Sequence, residues 1–172
     1  MADSQTELPT VAHWPRAFFA KAGSVSRPRV LILAIIIASV VLAQYQLWKQ
    51  PSHGDRANWD YFSQVIVRGG VPYRDVVNIK SPFSAYIGAA AIIMGRPFGI
   101  RDVIAIRIVY SALVLILIAS TLLIAWRFDG SLLVGLAAGA LLLSFDAYLR
   151  LYSAGVQPKT PMVLLGLLSL WA

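Results

Sequence analysis

Four apolar runs, nearly free of charge, divide the chain: residues 30–48, 103–126, 132–149 and 161–172. At about 1.5 Å of helical rise per residue the first reaches about 28 Å, close to the hydrocarbon thickness of a bilayer at about 30 Å. Tyr45 and Trp48 lie at its far end, where amphipathic rings favour the membrane interface, and Pro51 follows as a stop. The second run holds a single charge, Arg107, one turn inside, from where the side chain can snorkel back to the entry side. The third contains Gly135 and Gly139, a spacing that lets helices approach closely, and carries Asp146 near its end. Residues 127–130 predict a tight turn between the two. The fourth run, about 18 Å as a helix, is too short to cross, so the chain reads as the N-terminal part of a longer protein. The expected architecture is therefore all-α and polytopic.

The polar segments complete this picture. Residues 1–29 read as a cytoplasmic tail. Residues 49–102 form a long external segment with two juxtamembrane helices, about 55–68 and 82–94. For the first, Ser52 or Asp55 is the expected cap and Gly69-Gly70 the end. Trp59, Phe62 and Ile66 share one side of it, which predicts an amphipathic helix lying on the membrane. For the second, Ser81 is the expected cap and Pro82 the first helical residue, with Gly95 as the end. It is too short to span, so a re-entrant or surface-lying helix is expected, and its alanine-rich face suits packing.

Composition sharpens the class. The 172 residues are 58% hydrophobic and 13% charged, with mean hydropathy +0.69, against about a quarter charged in a soluble domain. Net charge is +7 and the pI about 10.1. The cations border apolar runs, so lipid or phosphate is the expected partner and nucleic acid is not. There are no cysteines, hence no disulfides. Positive charge does not decide orientation by itself. Arg16, Lys21, Arg27 and Arg29 in the tail are matched by Lys49, Arg56, Arg68, Arg74 and Lys80 in the loop. Arg127 in its turn agrees with a cytoplasmic N-terminus.

Candidate chemistry concentrates in residues 49–80, where carboxylates and cations lie beside apolar runs. Transfer of a sugar from a lipid phosphate needs a base for the incoming hydroxyl and cations for the departing phosphate. Phosphate leaves readily, so the second carboxyl of a glycosidase is not required. Asp55, four residues before Trp59 and seven before Phe62, is expected to point along the membrane-facing side of its helix and is the candidate base, with a helix-cap role as its plain alternative. Asp60, five residues on and about 140° round the helix, is a secondary acid facing elsewhere. Lys80 and Arg74 are candidate phosphate contacts, and Arg107 joins them as a charge within a span. Arg101 and Asp102 read as an interfacial pair. His53 has no second ligand at metal spacing, so no metal or cofactor is assigned and a divalent cation has no support. No phosphate-binding glycine loop or zinc-protease motif occurs.

The order of these elements resembles the GT-C superfamily of polytopic glycosyltransferases. The elements are Gly54-Asp55, Trp59-Asp60-Tyr61, Arg68 through Asp75 with its Gly-Gly-Val-Pro-Tyr-Arg core, Lys80-Ser81-Pro82-Phe83, Gly95, and a span opening with Arg107. The nearest branch is bacterial enzymes similar to protein mannosyltransferases and the aminoarabinose transferase of lipid A. The resemblance covers residues 30–126. It implies inverting transfer from a polyprenyl-phosphate sugar to an acceptor lipid, protein or glycan, at the outer face of the bacterial inner membrane. It also implies Asp55 as base and Lys80 on the donor phosphate. Ser81-Pro82 departs from the usual Pro-Pro, and Arg56 replaces the second acid some relatives carry. The rival class is a non-enzymatic multi-span membrane protein. As a transporter subunit or a carrier of lipid-linked sugars it predicts polar spans, for which only Arg107 and Asp146 qualify; as an accessory scaffold it packs through Gly135 and Gly139 and does no chemistry.

Overall fold

The computed structural model describes residues 27–44, 49, 51–52, 54–76, 81–129, 131–145 and 154–170, and in them the chain is all-helical. The elements are α1 (Arg27–Gln44), α2 (Asp55–Val67), α3 (Phe83–Gly95) with a 3₁₀ turn (Arg96–Phe98), α4 (Asp102–Asp129), α5 (Leu132–Ser144) and α6 (Lys159–Ser169). One of them, spanning Asp102–Phe128, is long and apolar enough to cross a membrane. Residues 1–26, Tyr45, Trp48, His53, Lys80 and Asp146 lie outside the described residues, while Arg27, Pro28 and Arg29, expected in the tail, already belong to α1.

The local signals work in unequal ways. At the start of α2 the cap position belongs to Gly54, not to Ser52 or Asp55. Its φ of 54° is a left-handed turn that glycine enters without steric cost, and Asp55 becomes the first helical residue. Ser52 is drawn away to a side-chain partner described below. Pro82 sits at the cap of α3, displacing Ser81 by one position. The expected tight turn at 127–130 is replaced by continued helix through Asp129. The apolar pattern carries α4 past the polar residues, since Arg127 and Asp129 are compatible with a helix. α5 closes at Ser144, shorter than the run that predicted it.

Packing centres on α4. One cluster joins Trp59 and Phe62 of α2, Ala85, Ala91 and Ile92 of α3, Ile106 and Tyr110 of α4, and Val156 ahead of α6. The Trp59 and Phe62 rings lie 5.8 Å apart, tilted by 32°. A second, smaller cluster joins Ala38 of α1 to Val114 and Ile118 of α4. Two glycines mark close approach. A Cβ on Gly88 would stand 2.2 Å from Ser63 Oγ and 2.8 Å from Val156 Cγ2, and one on Gly135 would stand 2.7 Å from the Leu122 carbonyl oxygen. Gly139, its predicted companion, meets Leu122 only at ordinary contact distance, 3.7 Å.

This packing corrects the expectation for α2. Its Trp59–Phe62 side meets the protein, not lipid: Trp59 is 2% exposed and Phe62 1%. Ile66 packs against the same cluster. The amphipathic signal is real, but α3 and the first turns of α4 supply the apolar partner.

Candidate functional site

Asp55 and Asp60 share α2 and have opposite surroundings. Asp55 is exposed in the first turn. Asp60 is 3% exposed, on the same buried side as Trp59 and Ser63. Five residues advance a helix by about 500°, which leaves the two about 140° apart.

Around Asp60 the chain assembles three separate stretches. The Ser52 hydroxyl donates to Oδ2 at 2.8 Å, and the Val156 backbone N–H donates to Oδ1 at 3.1 Å. Gly155 lets the loop come this near, because a Cβ there would stand 3.2 Å from Oδ1. Arg107 of α4 donates from Nη2 to the Ser52 hydroxyl at 3.4 Å. Ser52 therefore accepts from the guanidinium and donates to the carboxylate. Burial pushes the Asp60 carboxyl above the ordinary aspartate value. The Val156 N–H, the Ser52 hydroxyl and the charges of Arg107 and Arg56 pull it back. Close by, the Tyr110 hydroxyl donates to the Ser84 carbonyl at 3.0 Å and receives the Gln157 N–H. Thus α2, α3, α4 and the segment leading into α6 are joined by polar contacts within one apolar shell.

Arg107 is 5% exposed. Its side chain does not snorkel to the surface as the sequence suggested but faces Ser52 and Asp60. Two buried charges of opposite sign, each costly alone, account for one another. Arg74 is placed differently. It lies in an exposed turn closed by Asp75 N–H to Val71 C=O at 3.0 Å and Tyr73 N–H to Val76 C=O at 3.0 Å. Its guanidinium grips Asp75 through Nε at 3.0 Å and Nη2 at 2.9 Å. Asp75 also accepts the Val71 N–H at 2.7 Å. The arginine and that N–H pull the Asp75 carboxyl down to about 2. Asp102 pairs with Arg96 at 3.3 Å, in place of the expected Arg101 partner. The reason is the 3₁₀ turn, which folds Arg96 back over the start of α4.

The structure thus unites Asp60 with Arg107, keeps Asp55 on the exposed side of the same helix, and puts Arg74 in a separate turn. Among the described residues no group of three His, Cys, Asp or Glu side chains could hold a metal. Ser52, Gly155 and Val156 were not legible as partners. The retrievable signal was Arg107 in an apolar run; helical angle puts Asp60 about 160° from Phe62, away from the apolar row, so its burial was not legible. Searches of family models, characterised proteins and solved structures yield no match to the chain.

Proposed function

We propose that this chain is the N-terminal region of a multi-span, GT-C-like glycosyltransferase of the bacterial inner membrane, with a cytoplasmic N-terminus. It moves a sugar from a polyprenyl-phosphate donor to an acceptor hydroxyl with inversion. The observation that carries this reading is the exposed carboxylate of Asp55 at the start of a helix fastened to the membrane-capable α4 through Asp60, Ser52 and Arg107. A base that must meet a lipid-borne donor needs both exposure and a fixed height relative to the bilayer.

In the proposed step the acceptor oxygen attacks the anomeric carbon and gives its proton to Asp55. The bond from that carbon to the phosphate oxygen breaks, and polyprenyl phosphate leaves with the electron pair. Lys80 and Arg74 meet the phosphate charge, Arg74 by exchanging its Asp75 partner for the donor. Arg107 acts by holding α2 in place.

The test is release of polyprenyl phosphate by membrane vesicles carrying the protein, supplied in turn with polyprenyl-phosphate mannose, glucose and aminoarabinose. Asp55→Asn is expected to lower release with the accepted donor by about a hundredfold or more, the range of a lost general base. Wild-type release from Asp55→Asn would remove Asp55 as the base. No release from any donor would favour the rival class, a transporter subunit or accessory scaffold.

A further inference from the structure

We infer that Tyr73 is a sugar-binding residue. Its ring, held out by a strained turn, takes the C–H face of the donor's pyranose while Arg74 next to it meets the phosphate. The inference deepens the proposed function and rests on its reading of Arg74.

The first ground is a backbone conformation. Tyr73 has φ 66°, in the left-handed region, and is the one residue other than glycine at positive φ among the described residues. Its companions there are Gly54, Gly69, Gly99 and Gly155. The Arg74 N–H donates to the Val71 carbonyl at 3.3 Å, so residues 71–74 close a turn with Pro72 second and Tyr73 third. Proline second and positive φ third mark a type II turn, whose third position suits glycine or asparagine. A tyrosine there crowds its Cβ against its own backbone. Either of the cheaper residues would close the turn, so the turn does not account for the ring.

The second ground is that the strain is held from several sides. Asp75 accepts the Val71 N–H on Oδ2 at 2.7 Å, and Tyr73 donates its own N–H to the Val76 carbonyl at 3.0 Å. Pro72 and Val76 form an isolated parallel bridge across the turn. Both ends are tied to packed structure. The Gly70 N–H returns to the Val65 carbonyl of α2 at 2.9 Å, and Val76 packs against the cluster around Trp59 and Phe62. An unfavourable conformation persists only where its surroundings over-determine it, and such residues gather at ligand clamps and active sites.

The third ground is what the ring offers. Tyr73 is 53% exposed and belongs to neither apolar cluster, so core packing does not explain it. The face of an aromatic ring is negative, and the C–H side of a pyranose is slightly positive. A tyrosine has two side-chain torsions and loses little freedom on binding, and a fixed backbone lowers that cost further. Arg74 follows directly, its Cα about 3.8 Å away. In the donor the anomeric carbon is one oxygen removed from phosphorus, so a single ligand reaches both residues. The turn presents a cation for the phosphate and a ring for the sugar that the phosphate carries.

The test measures binding to membrane vesicles carrying the protein. The probes are radiolabelled polyprenyl-phosphate mannose, glucose and aminoarabinose, and polyprenyl phosphate without a sugar. Tyr73→Asn suits the turn and removes the ring, whereas Tyr73→Phe keeps the ring. Tyr73→Asn is expected to weaken binding of the accepted sugar-bearing lipid by about fivefold or more. Its binding of polyprenyl phosphate should match the wild type, and its unfolding midpoint should be unchanged or raised. Tyr73→Phe should bind the sugar-bearing lipid within about twofold of the wild type. Equal weakening of the sugar-bearing and sugar-free lipids would assign the ring to phosphate or chain and overturn the inference, while the proposed function stands. Wild-type binding by Tyr73→Asn would do the same. A loss in Tyr73→Phe as large as in Tyr73→Asn would move the contact from the ring face to the hydroxyl, against the inference. A lowered unfolding midpoint in both Tyr73→Asn and Tyr73→Gly would make the ring a support of the fold and overturn it too. If the wild type binds no sugar-bearing lipid, the proposed function fails and takes the inference with it.

Discussion

Asp60 and Asp75 each stand near an arginine, yet the two regions behave as opposites. Asp75 forms a forked pair with the arginine next to it in sequence, inside a turn of six residues, at the surface. Asp60 draws its partners from Ser52, from α4 and from Val156, far along the chain, and is buried. The exposed pair has the better geometry and the lower carboxyl pKa. The buried carboxyl is raised despite more partners, because burial outweighs them. Good pairing geometry therefore does not mark the pair that organises the fold. What marks it is the sequence distance its partners span and the cost of leaving any one of them alone.

Removal of the Asp60 carboxylate tests this most severely. Asp60→Ala strands the Arg107 charge in an apolar shell and deprives the Val156 N–H of its acceptor. A loss of about 3–5 kcal/mol is expected, read as a lowered unfolding midpoint in lipid or detergent. Arg107→Met should cost a similar amount. The double variant Asp60→Ala with Arg107→Met should recover the part due to charge. It would retain a deficit of about 1–3 kcal/mol from the buried N–H. Simple additivity of the two single losses would show that the two charges do not depend on each other.

Gly88→Ala probes the same region without touching a charge. The new Cβ would press on Ser63 and on Val156, whose N–H serves Asp60. A cost of about 1–3 kcal/mol is expected from overpacking. A combination with Asp60→Ala should be less than additive, because both disturb the seat of Val156. Full additivity would separate the packing of α3 from the Asp60 contacts.

The titration of the two carboxylates has opposite signs. Asp60 binds its proton more tightly folded than unfolded. Its protonated form stabilises the fold fully below the ordinary value of 3.8, and that contribution is lost as pH rises through the higher folded value. Unfolding followed across mildly acidic pH should show this decline in the wild type. The decline should be absent in Asp60→Asn. An unchanged slope in the variant would assign it to another group.

These contrasts also show what the chain disclosed in its sequence. The run 103–126 disclosed α4, since a long apolar stretch has few alternatives to helix. Spacing disclosed α2 and the amphipathic row of Trp59, Phe62 and Ile66. Amphipathicity tells that a face is covered but not by what, so the row was assigned to lipid when α3 covers it. The alanine-rich face of α3 reads as a packing face, but the sequence does not say that α2 is what it packs against. Helical angle separated Asp55 from Asp60 but put Asp55 on the Trp59–Phe62 side and Asp60 away from it, whereas Asp55 is exposed and Asp60 is buried with Trp59. The partners of Asp60 could not be read, because Ser52 and Val156 reach it only through tertiary folding. Arg74 and Asp75 were readable as neighbours because their contact is local.

The smallest effect is expected at that local pair. Asp75→Asn removes the charge that Arg74 grips, in a turn open to water. The carboxyl, held at about 2, contributes stability above the ordinary 3.8 that is lost as pH falls toward 2. Solvent screening keeps that contribution slight, so the variant should shift the unfolding midpoint far less than Asp60→Asn. Added salt should erase what difference remains, because exposed charges are screened within about 10 Å at 0.1 M. The Asp60 variants should keep their deficits in the same salt, since their charges are shielded by protein. Should Asp75→Asn prove as damaging as Asp60→Asn, the turn would have to bear on the fold through contacts beyond its own six residues. The ranking of the two regions by burial would then be reversed.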